Sequence, residues 1–115
     1  VTQQIAIAGT ITIPADRRAA ALESTAHLQQ ATRDDEPGCL AYVFSADPLR
    51  PDTITVFELW TDAASLEAHF QHPNYTDMRT ALGAAGITNA QVMKYRIDAA
   101  APVYNSQRIA TASFE

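Results

Sequence analysis

The residues of this chain best suited to chemistry lie between Glu58 and Arg79. A β-rich run ends in Glu58-Leu59-Trp60. Asp62 then opens a short helix, His69-Phe70 follows, and His72-Pro73-Asn74-Tyr75 restarts a helix. Strand ends that meet helix starts are common places for a small protein to keep its pocket. His69 is the natural candidate base, because an imidazole titrates near neutrality. Trp60, Phe70, Tyr75 and Met78 offer flat and soft walls to a planar guest. Tyr42, Tyr95 and Arg79 could orient or polarise an oxygen on it, and Asn74 is a further polar candidate. Glu58 could accept hydrogen bonds from the backbone or from His69. Structural roles compete with these. Trp60 also suits a core anchor, Tyr75 and Met78 at i, i+3 suit ordinary core, and His69 suits a surface or interface. His72 belongs to the turn that caps a helix, and Cys39 reads as a small buried residue rather than a nucleophile.

The elements that must position these groups follow from periodicity. Gln3 to Ile13 alternates, with Ile5, Ile7, Ile11 and Ile13 on one side and Ala6, Ala8, Thr10 and Thr12 on the other, which predicts a strand. Gly9 inside it marks a bulge or a close approach. Ala15 to about Asp34 predicts a helix with Asp16 as its cap and a buried line through Ala19, Leu22, Ala26 and Gln29 or Gln30. Glu36-Pro37-Gly38 is a turn. Cys39 to Ala46 and Thr53 to Trp60 predict two strands, the first with Leu40, Tyr42 and Phe44 on one side. Thr61 or Asp62 caps a helix from Ala63 to Phe70, Pro73 begins another to about Ala85, and Ala90 to Asp98 predicts a last strand. The order is β-α-β-β-α-β with the second helix broken, the α+β, ferredoxin-like pattern with an antiparallel sheet. Both sheet faces carry apolar residues, and the helices suffice for one. The economical cover for the other is a second copy, giving a two-fold dimer. The tail, Val103 to Glu115, carries the β-type residues Val103, Tyr104, Ile109 and Phe114.

Composition excludes several classes. A length of 115 residues suits one domain. The net charge of -5, with eight scattered Lys plus Arg, argues against nucleic-acid binding. No run approaches the roughly 20 apolar residues of a membrane span, and Val1-Thr2-Gln3-Gln4 shows no signal-peptide pattern. A single cysteine fits a reducing cytoplasm and rules out a Cys-rich metal site within one chain. His69 and His72 are at i, i+3, but the helix break between them argues against a rigid metal pair, so no metal is expected. No G-x-G-x-x-G fingerprint is present.

The Glu58–Trp60–His69 set, with Pro37-Gly38-Cys39 ahead of it and Leu66 and Pro73 around it, resembles the antibiotic biosynthesis monooxygenase family. The likeness runs from about Ile5 to Tyr95. It implies a dimeric α+β barrel, with residues 1–98 as the ferredoxin-like domain and 99–115 as a C-terminal extension pairing with the partner subunit. It also implies a cofactor-independent monooxygenase that oxidises a small aromatic, hydroquinone or anthrone-like, with O2. Catalysis would fall to His69, Trp60 and Glu58, and substrate binding to Tyr42, Phe70, Asn74, Tyr75, Met78, Arg79 and Tyr95. Haem-degrading relatives use a His on the helix after the break and an Asn in the first strand. Here Pro73 to Ala85 holds no His and the first strand no Asn, so no cofactor is expected. Two alternatives stay open. One is an isomerase or degradative enzyme on a small polar carbonyl compound, with Arg79 or Arg96 holding an anionic group. The other is a non-catalytic dimeric binding module. An apolar, aromatic pocket favours the monooxygenase; a polar, basic one favours the isomerase.

Overall fold

The computed structural model describes residues 3–115 and arranges them as β1 (Ile5–Thr12), α1 (Ala15–Asp35), β2 (Cys39–Ala46), β3 (Thr53–Trp60), α2 (Ala63–Gln71), α3 (Pro73–Ala84) and β4 (Asn89–Arg96). The Val1-Thr2 start of the expected 1–98 domain lies outside the described residues. The strands form one antiparallel sheet in the order β2-β3-β1-β4. This is the ferredoxin-like α+β arrangement. Among the described residues no helix is long and apolar enough to cross a membrane.

The isoleucine alternation of β1 sets the sheet's inner face. Ile5, Ile7, Ile11 and Ile13 are buried together with Val56, Trp60 and Tyr42. A bulge between Cys39 and Ala41 changes the parity expected of β2. Leu40 is the extra residue and stands 49% exposed, while Cys39 takes its place beside Tyr42 on the inner side. The expected buried line on α1 also moves. Ala21, Thr25, Leu28 and Thr32 are buried, whereas Ala19 and Ala26 are exposed. The two threonines go inward because each hydroxyl bonds back to its own helix, Thr25 to the Ala21 carbonyl and Thr32 to that of Leu28. That leaves their methyls for the core. Asp16 does not cap α1. It sits in the first turn behind Pro14, where its charge complements the helix dipole.

The close approach expected at Gly9 is real, and the register of β1 runs through it unbroken. A Cβ there would meet the Gln91 carbonyl oxygen and lie 2.6 Å from Val92 Cα on β4. Gly9→Ala is therefore expected to push β4 off β1 and cost about 3 kcal/mol, the upper range for overpacking. A urea midpoint that falls, with faster amide exchange confined to β4, checks this.

The other sheet face carries no helix. Phe57 is 42% exposed there, and Met93 62%. After Ile97 the chain folds into a small hairpin, in which Tyr104 bridges Ala110 and Thr111 N–H donates to the Val103 carbonyl. Every residue of 98–115 is exposed.

Candidate functional site

The site is built from the ends of β3 and α1 and from the α2–α3 break. Asp62 caps α2, its carboxylate accepting from Ser65 N–H at 2.7 Å. His72 caps α3, its Nδ1 accepting from Asn74 N–H at 3.0 Å ahead of Pro73 at the helix start. These two caps fix the angle between α2 and α3. His69 is thereby turned inward, to 1% exposure.

Four aromatic rings surround His69. Trp60 lies against it with centroids 4.5 Å apart and 36° between planes, and Tyr42 and Tyr75 meet it edge-on at 5.4 and 5.5 Å. Phe70 is the fourth, at 6.0 Å. The imidazole nitrogen Nδ1 stands 2.8 Å from Glu36 Oε1, and Asn74 Nδ2 donates to Glu36 Oε2 at 3.1 Å. A carboxylate only accepts, so Nδ1 carries the His69 proton and Nε2 the lone pair. Burial holds the His69 pKa below its ordinary value, while the Glu36 contact acts in the opposite sense. His72 Nδ1 is 4.0 Å from Glu36, but it already accepts from Asn74 and has no proton there to give.

The sequence marks Glu36 only as part of a turn. The signal that could have marked it is Pro37, which disfavours helical geometry at the residue before it. Glu36 accordingly leaves α1 at φ -104°, ψ 107°, buried at the helix end. This partnership corrects the one expected for Glu58, which does not pair with His69. Instead Trp60 Nε1 donates to Glu58 Oε1 at 3.0 Å.

A cavity of about 550 Å³ lies between the inner sheet face and α3. Its lining includes Tyr42, Phe70, Tyr75 and Met78, and its charged members are Glu58, Arg79 and Lys94. Trp60 and His69 do not line it; they stand behind Glu58 and the tyrosines. Among the described residues no buried side-chain nitrogen or oxygen lacks a partner. Glu58 Oε2 makes no bond to protein, so it is this oxygen that reaches the cavity. Burial pushes the Glu58 carboxyl up to about 7; the indole bond opposes this and the Glu36 charge adds to it. A carboxyl titrating near neutrality beside an apolar cavity is equipped to exchange protons with a guest. Burial, reinforced by the two nearby carboxylates, also raises the Tyr42 hydroxyl and takes the Cys39 thiol up to about 11, leaving both protonated at neutral pH.

Of the residues singled out from the sequence, Tyr42, Glu58, Trp60, His69, Phe70 and Tyr75 come together in one cluster. Asn74 joins it through Glu36, and Met78 and Arg79 face the cavity from α3. Tyr95 does not join. It pairs with Ala6 on the open face of the sheet, 52% exposed. No group of three or more His, Cys, Asp or Glu among the described residues is placed to hold a metal ion.

Comparison with known proteins adds three findings. The family profile described as antibiotic biosynthesis monooxygenase matches residues 4–81. An uncharacterized protein of Synechocystis sp. is 31% identical over 71 residues, which are 62% of this chain and 48% of that protein; the chain thus spans about half the length of this curated relative. Among solved structures, a Deinococcus radiodurans protein named as a candidate antibiotic biosynthesis monooxygenase superposes with a TM-score of 0.77. It is 27% identical, over 88% of this chain and 99% of that one. A Bacteroides thetaiotaomicron protein of unknown function shares the fold, with a TM-score of 0.74 at 20% identity over 84% of this chain and all of that one.

Proposed function

The chain belongs to the antibiotic biosynthesis monooxygenase family, and from that membership we propose that it oxidises a small hydroquinone- or anthrone-type substrate with O2 and without a cofactor. What supports this most is the Glu58 carboxyl, which titrates near neutrality and opens onto a cavity walled mainly by apolar and aromatic side chains. The ionised carboxylate takes the proton of the substrate hydroxyl, or of the enol form of an anthrone. The electron-rich anion passes one electron to O2, and the radical pair closes a C–O bond. The peroxide anion recovers its proton from the Glu58 carboxyl. Loss of the remaining C–H proton then breaks the O–O bond, leaving a carbonyl. For an anthrone the balance is CH2 plus O2 to C=O plus H2O; for a hydroquinone a ring C–H and one O–H supply the two hydrogens of the water, leaving a hydroxyquinone. The apolar walls exclude water from the anion.

His69 keeps a part in this scheme as a positioning residue. Held by Glu36, it packs on Trp60, and Trp60 fixes Glu58 through the indole N–H. The apolar lining favours an aromatic substrate over a small polar carbonyl compound. The open sheet face and the C-terminal hairpin are assigned to a second copy of the chain. Four strands of eight residues present a face of roughly 500 Å². The hairpin brings this toward the roughly 800 Å² per partner of a stable interface.

The test is oxygen uptake by the purified chain with a panel of hydroquinones and anthrones and no added cofactor. Uptake of one O2 per anthrone oxidised is expected. A panel that consumes none above the protein-free rate overturns the assignment.

A further inference from the structure

We propose that the guest of this cavity is an aromatic acid, with a ring hydroxyl at Glu58 and a carboxylate at the opposite end held by Arg79 and Lys94. The inference rests on the role just given to Glu58 and adds the charge and the length of the substrate. Register supplies the geometry. Tyr42, Glu58, Ile7 and Lys94 are successive partners across the four strands, so they form one row on the inner face. Two strand spacings separate Glu58 from Lys94, roughly 10 Å between their Cα atoms. That is the scale a fused two-ring aromatic spans between opposite substituents. Arg79 lines the same cavity from α3, one residue beyond the buried Met78.

Charge supplies the chemistry. Among the described residues no Asp or Glu carboxylate pairs with Arg79 or Lys94, and neither has a side-chain hydrogen bond. Two other arginines packed near the sheet are differently employed. Arg18 donates to the carbonyls of Asp47, Arg50 and Thr53, and Arg33 to that of Tyr42. In a chain of net charge -5, two cations without a carboxylate partner therefore converge on one apolar cavity. Lys94 is also the only lysine of the chain. A guanidinium and an ammonium at an apolar wall form charge-assisted bonds to a carboxylate, while their aliphatic stems pack against the ring. Glu58 at the other end would repel a second anion, which sets the orientation: hydroxyl toward Glu58, carboxylate toward the cations.

The test is anaerobic titration calorimetry with 6-hydroxy-2-naphthoate, its methyl ester and 2-naphthol, against the wild type and the Lys94→Gln/Arg79→Gln double variant. Both positions are exposed, so the variant is expected to fold, and circular dichroism checks that it does. The acid should bind the wild type about tenfold more tightly than the ester or the naphthol, as one charge-assisted contact allows. In the variant that preference should vanish while ester affinity is retained. With Lys94 the sole lysine, its 13C-dimethyl signal should shift on adding the acid and not the ester. Equal affinities in the wild type, a preference that survives in the variant, or no binding of any probe overturns the proposal. Preferential acid binding together with no oxygen uptake across the hydroquinone and anthrone panel would instead remove the monooxygenase assignment and leave the aromatic-acid site standing.

Discussion

Glu58→Gln is expected to lower kcat/KM for oxygen consumption by about 10²–10⁴-fold, the usual worth of a positioned acid–base group. The same change should make the protein more stable at pH 8. Glutamine keeps a carbonyl oxygen for the Trp60 indole N–H but cannot take a proton from the substrate. The stability gain follows from linkage. Burial first, and the Glu36 charge with it, raises the folded-state Glu58 pKa from 4.5 to about 7. The folded state then holds its proton more tightly than the unfolded chain. The stability this gives is fully present below pH 4.5 and is lost as pH rises through about 7. The difference corresponds to about 3 kcal/mol. His69 works in the opposite sense. Its lowered pKa means that stability is lost as pH falls below the ordinary histidine value. Comparing wild type with Glu58→Gln by urea unfolding from pH 4 to 8 therefore isolates the glutamate. The gap should open in favour of glutamine as pH rises. Wild-type kcat/KM should fall as pH drops below about 7, because the carboxylate is the reacting form. A variant that keeps full activity would remove Glu58 from the mechanism, and a constant stability gap would remove its raised pKa.

The second large effect is expected at Glu36. Glu36→Ala strips acceptors from two buried donors at once, His69 Nδ1–H and Asn74 Nδ2–H. Two hydrogen bonds to a charged group, with both partners left buried, amount to about 3–5 kcal/mol. Glu36→Gln should cost only about 1 kcal/mol. Its carbonyl can accept from His69, and with the Asn74 amide turned over its NH2 can donate to Asn74. Urea midpoints for the three proteins check the order. Nitrogen-15 spectra of His69 should show the Nδ1-protonated neutral ring in the wild type and a change of tautomer population in Glu36→Ala. An alanine cost no larger than about 1 kcal/mol would mean that Glu36 is not what holds the α2–α3 break to the end of α1.

Much of the scaffold was legible in the chain because its signals are local. The isoleucine alternation gave β1 its buried face, Pro73 gave the start of α3, and Asp62 gave the cap of α2. The misreadings also have local causes. Thr25 and Thr32 count as polar in a pattern, yet their hydroxyls are satisfied within the helix and they turn inward. One bulged residue, Leu40, displaced the parity of β2. Tyr95 falls on the open face instead of in the site; alternation alone does not decide which face of an edge strand meets the helices.

The sequence by itself determined the order of the elements, the break at His72 and the identity of the aromatic cluster, because periodicity and capping act between residues a few positions apart. Only the tertiary structure decided that His69 pairs with Glu36, 33 residues away, and that Glu58 rather than His69 opens onto the cavity. Both depend on strand register and on the angle between helices. Those are fixed by the packing of the whole core, in which burial sets the Glu58 pKa and the partner of each buried donor.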